Sequence, residues 1–381
     1  MTTPMRPANL TDLMRSRPAQ VPVTTTLLAA NVLVFVLMLF AGAGWWHTTN
    51  GVQLAWGANF GPATQDGQWW RLFTAMFVHF GIVHLSMNMF ALWDVGRLVE
   101  RIYGRRRMAL LYVGSGMVGN LVSLVVQGNA AVSAGASGAI FSLYGALLVF
   151  LWRERRQVHP AEFRWLFGGA VLFTLLIFGM GYVVSGIDNS AHGGGFLAGA
   201  VMARILARPW TARSPVAGGL GRWGAALALA AALVWLAMHL PQPAYRYGDE
   251  LRARQAIQNF RSADRGISQQ WELLLRRGPA QGLSFEELAG TIEARVTEPY
   301  ARSFEELVAA TPGSPVPSTG ELGVLQAYAQ QRVEASREVA EGFRTRDPYK
   351  IRQGLEQAKQ ARAASQGMPP APPVSAAPLS K

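Results

Sequence analysis

Gly135-Ala136-Ser137-Gly138-Ala139-Ile140-Phe141-Ser142-Leu143-Tyr144-Gly145-Ala146-Leu147-Leu148-Val149-Phe150-Leu151-Trp152 is an apolar run with a hydroxyl at its head. Working outward, Ala191-His192-Gly193-Gly194-Gly195 opens a second such run, with an imidazole at its head. Both runs read as membrane spans, and both polar groups sit in a first turn. A polar or ionisable side chain at membrane depth is costly, which makes it a functional candidate by default. A Ser and a His placed alike on two spans can meet, and such a pair turns a hydroxyl into a nucleophile.

The composition fits that opening. Of 381 residues, 50% are hydrophobic and 15% charged, which points to a membrane protein with a soluble part. The chain has no Cys, which excludes disulfides, thiol chemistry and Cys-based metal sites. Its formal charge of +12 raises the question of nucleic acid, but residues 1–245 hold 17 Arg against 7 acids, nearly all of that Arg in short loops between apolar runs. Residues 246–365 carry 17 basic and 16 acidic side chains and are close to neutral. A nucleic-acid domain would gather its basic residues on one folded face. Here the pattern is the orientation signal of membrane proteins, and no nucleic-acid partner is expected.

Seven helical spans are predicted, over roughly 24–40, 80–99, 108–127, 137–152, 165–184, 191–207 and 223–240. Arg is concentrated in the loops after spans two, four and six, and is nearly absent from the others. The N-terminus is therefore expected in the cytoplasm and everything after span seven outside it. The apolar run after residue 22 lacks a small-residue cleavage site and reads as a retained span. Arg-heavy usage and the lack of organelle-targeting features suggest a bacterial inner membrane. Spans two, four and six run in the same direction, so Ser137 and His192 lie at similar depth near the outer leaflet. Sixteen residues of span four give about 24 Å of helix, short of a bilayer core of about 30 Å. Ser137 is thus expected below the outer surface, with the loop 129–136 dipping inward where a watery cavity satisfies its backbone.

Close approach of spans four and six requires small residues. Gly195 and Gly199 lie three and seven residues after His192, and Gly135, Gly138 and Gly145 flank or follow Ser137. Phe141, one turn below Ser137, is placed to pack on the imidazole. In span two, His84 and Asn88 are four apart and share a face. With the Ser137 backbone N–H they could form an oxyanion hole, whose donors contribute a few kcal/mol each. His79 should point away from His84 along the helix and is expected to be structural. No Asp is placed to orient His192, since Asp188 precedes it by four residues. A dyad is therefore expected. No metal or cofactor is expected, and His-Glu-x-x-His is absent.

Together these residues resemble the rhomboid family of intramembrane serine proteases. The resemblance rests on Trp70-Arg71, His84-x-x-x-Asn88, Glu100-x-x-x-Gly104, Gly135-x-Ser137-Gly138 and Ala191-His192-x-x-Gly195-x-x-x-Gly199, in order, over residues 24–207. It implies Ser137 as nucleophile, His192 as general base and acid, His84 and Asn88 as oxyanion donors, and Trp70-Arg71 in a loop of the outer leaflet. The implied substrates are membrane proteins with unstable transmembrane helices. The expected fold class is an all-α polytopic membrane protein: a six-helix rhomboid-like core, a seventh transmembrane helix and a helical extramembrane C-terminal domain. The expected divisions are a cytoplasmic segment 1–22, a catalytic domain 23–210, a linker and seventh span 211–241, an extracytoplasmic helical domain 242–365 and a disordered tail 366–381.

The resemblance does not reach residue 242 onward. There, Ser284-x-x-Glu287 and Ser303-x-x-Glu306 each read as a capping box at a helix start, and Pro312 to Pro317 reads as a loop. This domain is expected to dock protein partners or screen substrates. The rivals to a protease are a non-catalytic relative, which would lack the Ser or the His, and a small transporter, which would carry polar groups at the bilayer midplane.

Overall fold

The computed structural model describes residues 20–184, 186–209, 219–277 and 283–366, which fall into two compact units that divide between Ala244 and Tyr245. The expected N-terminal segment up to residue 19, the last residue of the expected catalytic domain, residues 211–218 of the linker and the tail from 367 lie outside the described residues.

The first unit opens with α1 (Pro22–Phe40). Three short helices follow in the first loop: α2 (Asn50–Ala55), α3 (Gly61–Gln65) and α4 (Arg71–Thr74), the last running into a 3₁₀ turn at Ala75–Phe77. Then come α5 (Ile82–Tyr103), α6 (Arg105–Gln127), α7 (Ser137–Glu154), α8 (Pro160–Val183), α9 (Asn189–Leu206) and α10 (Gly219–Met238). A helix occupies each of the seven predicted spans, and the chain is an all-α polytopic membrane protein.

These helices divide by what surrounds them. α1, α6, α8 and α10 are long and apolar enough to cross a membrane on composition alone, and α4 with α5 adds a fifth candidate span bent by 95°. α7 and α9 are not in that set. They are the helices with Ser137 and His192 at their heads; α7 is buried along most of its length, and α9 buries the face that carries His192, Gly195 and Gly199. α9 packs against α7 and α6, and α7 also packs against α5 and α8. By contrast, α8 and α10 leave Trp165, Leu172, Tyr182, Leu220 and Trp223 exposed on apolar faces. In lipid every backbone polar group must be satisfied internally, which helices achieve. Polar side chains are tolerated where other helices cover them.

Two motif residues shape the frame. Glu100, buried on α5, accepts from the backbone N–H groups of Val23 at 3.0 Å and Thr24 at 2.7 Å, and from the Thr24 hydroxyl at 2.8 Å. It satisfies the orphan donors at the start of α1. Gly104, at φ +81°, is the single residue between the end of α5 and the start of α6.

The second unit contains α11 (Tyr247–Arg277), α12 (Phe285–Ile292), a π-helical turn at Glu293–Thr297, α13 (Glu298–Ala309), α14 (Thr319–Thr345) and α15 (Pro348–Gln366). Its core includes Phe260, Trp271, Ile292, Tyr300, Leu307 and Val339. Ser284 caps α12 in a complete capping box with Glu287. Ser303 does not cap: it lies buried inside α13, which starts five residues earlier at Glu298, with Pro at its first turn. The chain is helical without a break from Phe285 through the π turn to Ala309, so no orphan N–H is left beside Ser303 for a cap to satisfy.

Candidate active site

The site is built at the heads of α7 and α9. Gly195 and Gly199 of α9 lie so close to α7 that an added Cβ would meet Gly138 O at 2.1 Å and Ser142 O at 2.2 Å. Gly145 is pressed equally close to Phe196 O, at 2.3 Å. Only hydrogen fits at these positions, so the two backbones run in contact. Across that seam Ser137 Oγ lies 2.7 Å from His192 Nε2.

Aromatic rings fix the imidazole plane. Phe141 stacks on His192 with centroids 4.4 Å apart and an interplanar angle of 8°. Phe178 of α8 meets the same ring edge-on at 6.3 Å. His192 is buried, and its Nδ1 has no hydrogen-bond partner among the described residues. The Asp188 carboxylate is turned elsewhere: its Oδ1 accepts from Ala191 N–H at 2.9 Å and so caps α9.

α5 brings His84 and Asn88. Gly135, at φ +126°, has no room for a side chain, because a Cβ would stand 2.7 Å from His84 Cε1 and 3.0 Å from His84 Nε2. That Cβ would also lie 3.8 Å from Ser137 Oγ. Gly135 therefore lets the loop pass between the His84 ring and the Ser137 hydroxyl. Phe80 N–H lies 3.5 Å from His84 Nδ1, and the other ring nitrogen, Nε2, is on the Gly135 side. Asn88 is buried and spends one amide N–H on His84 O at 2.9 Å. Ser137 is the first residue of α7, so its backbone N–H has no intrahelical acceptor.

The first loop is a packed layer. Arg71 is buried, and its Nη1 donates to Leu54 O at 2.7 Å and Ala58 O at 2.9 Å. Its guanidinium lies 4.7 Å from the Trp70 ring centroid, while Trp70 itself is exposed.

The Rhomboid domain model matches residues 66–209, which contain every residue just described on α5, α7 and α9. Rhomboid protease GluP of Bacillus subtilis is 37% identical over 186 residues, covering 49% of this chain and 35% of that protein. Putative rhomboid protease YdcA of the same organism is 35% identical over 185 residues, covering 46% of this chain and 86% of that protein. The chain belongs to the rhomboid family. It spans about a third of the length of the first relative, and RHOMBOID-like protein 5 of Arabidopsis thaliana is matched over 45% of its length at 37% identity.

The rhomboid bundle also uses residues that sequence reasoning passed over. Gly119 on α6 is pressed against α9, where a Cβ would meet Ala191 O at 2.7 Å. Its signal was present as a small residue in an apolar span, but nothing in the sequence says which face meets which helix. His79 was expected to point away from His84 along one helix. Instead α5 begins at Ile82, and the bend leaves His79 before the helix with its ring centroid 5.1 Å from that of His84. Among the described residues no cluster of His, Asp and Glu has the makings of a metal site.

Proposed function

We propose that this integral membrane rhomboid is a serine endopeptidase acting within the bilayer through a Ser137–His192 dyad. The observation that carries this reading is the 2.7 Å approach of Ser137 Oγ to His192 Nε2. Ser137 Oγ attacks the scissile carbonyl as its proton passes to Nε2. The tetrahedral oxyanion is held by the Ser137 N–H, His84 and Asn88. Collapse breaks the C–N bond, and His192 gives its proton to the leaving amine. Water then attacks the acyl-enzyme with His192 as base, releasing the second product and restoring the Ser137 hydroxyl. Stacking on Phe141, rather than a carboxylate, holds the imidazole plane.

The substrates we infer are membrane proteins whose transmembrane helices unwind readily, since a bonded helical backbone offers no accessible carbonyl. Arg-heavy usage points to a bacterial inner membrane, and the loop charges favour an N-terminus in the cytoplasm with residues 242–365 outside as a domain that docks or screens proteins. Labelling the purified protein with a serine-reactive fluorophosphonate tests the chemistry. Wild type should label at Ser137 and Ser137→Ala should not. Equal labelling of the two rules the dyad out. Deleting residues 242–381 tests the screening role, which fails if cleavage of every substrate is unaffected.

A further inference from the structure

Two hydrogen bonds cross the seam between the heads of α7 and α9, and they are in step. Ser133 lies four residues before Ser137, and Asp188 four residues before His192. Ser133 Oγ donates to Asp188 Oδ2 at 2.6 Å, just as Ser137 Oγ approaches His192 Nε2 at 2.7 Å. The same Oδ2 also accepts from Ser123 Oγ on α6, while Oδ1 accepts from Ala191 N–H on α9. Ser133 is fixed in turn. It exchanges backbone bonds of 2.8 and 2.9 Å with Asn59, whose amide donates to Asn120 O on α6 at 2.9 Å. One carboxylate thus joins the first turn of α9, the buried face of α6 and the loop that delivers the serine.

Resting on the protease reading, we propose that Asp188 is a positioning residue that sets the register of Ser137 against His192. The glycine seam brings the helices into contact but does not stop one sliding or rotating on the other. Directional bonds do. A carboxylate is the side chain suited to this place, because it accepts from several donors and carries none of its own. A simple N-cap needs one acceptor oxygen. Here the second oxygen serves hydroxyls from two other elements. Asp188 acts without touching the imidazole, whose Nδ1 is unpartnered among the described residues.

The test uses the full-length protein in proteoliposomes. It measures the fluorophosphonate labelling rate at Ser137, together with kcat and KM on a transmembrane test substrate. Asp188→Ala should lower the labelling rate and kcat by about 10²-fold, the scale of a misplacement of about 1 Å, with KM within about twofold. Ser133→Ala keeps the cap and the Ser123 bond, so it should fold normally and lose about tenfold. Asp188→Asn, which caps with its single acceptor oxygen, should fall between wild type and Asp188→Ala. Adding Ser133→Ala to Asp188→Ala should cost nothing more, because their shared bond is already gone. Labelling of Ser133→Ala and Asp188→Ala at the wild-type rate, a change confined to KM, or additive losses would each overturn the proposal. If wild type itself fails to label at Ser137, the protease reading fails first and takes this one with it.

Discussion

The two units differ in how far their helices rely on glycine to approach. Along the seam of α7 and α9 the helices meet backbone to backbone, at Gly138, Gly145, Gly195 and Gly199. From Tyr245 onward they meet chiefly through large side chains such as Phe260, Trp271, Tyr300 and Leu307. There a Cβ added at Gly266, Gly290, Gly320 or Gly323 would meet nothing within 4 Å, although Gly342 and Gly354 are close-packed. The solvent explains the difference. Lipid tails are as apolar as leucine, so helices in a bilayer gain by close packing and internal hydrogen bonds. In water, burying one large aliphatic or aromatic side chain contributes about 1.5–3 kcal/mol, and size is what counts.

Their buried polar groups differ as well. In the second unit Asp264 Oδ1 accepts from Tyr300 OH at 2.7 Å and Tyr328 OH at 2.9 Å, while the Arg332 guanidinium sits 4.8 Å from the Trp271 centroid and 5.0 Å from that of Tyr300. Burial holds both phenols above their usual pKa. That network spends its donors on stability. The membrane unit instead leaves the Ser137–His192 pair free of a carboxylate and holds it from outside.

The contrast can be broken in graded ways. Ser137→Ala should reduce cleavage by about 10⁴-fold or more while the protein still accumulates in the membrane. Substantial residual cleavage in a substrate assay removes the site from the comparison. Gly199→Ala forces a methyl against Ser142 O. Parting the seam by roughly 1 Å should cost about 10²-fold in labelling rate. An unchanged rate shows that the seam is not what sets the geometry. Leu307→Ala should destabilise the second unit by about 2–5 kcal/mol. Hydrogen exchange resolved to residues 245–366 reads that loss, and Ser137 labelling should stay unchanged. Loss of labelling would show that the units are not independent.

Ser284→Ala removes the α12 cap and should cost about 1 kcal/mol, read by the same exchange. Bonds from the Ser284 N–H and hydroxyl hold the Glu287 carboxyl below its ordinary pKa. Its contribution is therefore full above the unfolded-state value and is lost as pH falls through the lowered one. The wild-type advantage should narrow in acid, and an advantage independent of pH removes Glu287 from the cap. The smallest effect belongs to Gly168→Ala on α8, where a Cβ meets nothing within 4 Å. Activity should not move, and the melting temperature should hold or rise slightly, because Ala is the better residue in a helix interior. A loss there means that exposed glycines of this unit matter for a reason other than packing.

The sequence by itself determined where the helices lie, because hydropathy and loop charge act locally along the chain. It also marked Ser137 and His192 as misplaced polar groups, His84 and Asn88 as sharing a face, and Gly195 and Gly199 as a packing step. It read both Ser284 and Ser303 as caps, because both carry the same five-residue pattern; only the burial of Ser303 within a continuous helical run refutes the second. It misplaced His79 because a 95° bend between two helical pieces leaves no mark in periodicity. The tertiary structure alone decided that Ser137 and His192, 55 residues apart, come within 2.7 Å. It alone turned Asp188 from a loop residue into the acceptor for Ser123, Ser133 and Ala191. The physical reason is that hydrogen bonds between distant residues depend on how near two backbones come. That distance is set by glycines on both helices at once, which no local window of sequence contains.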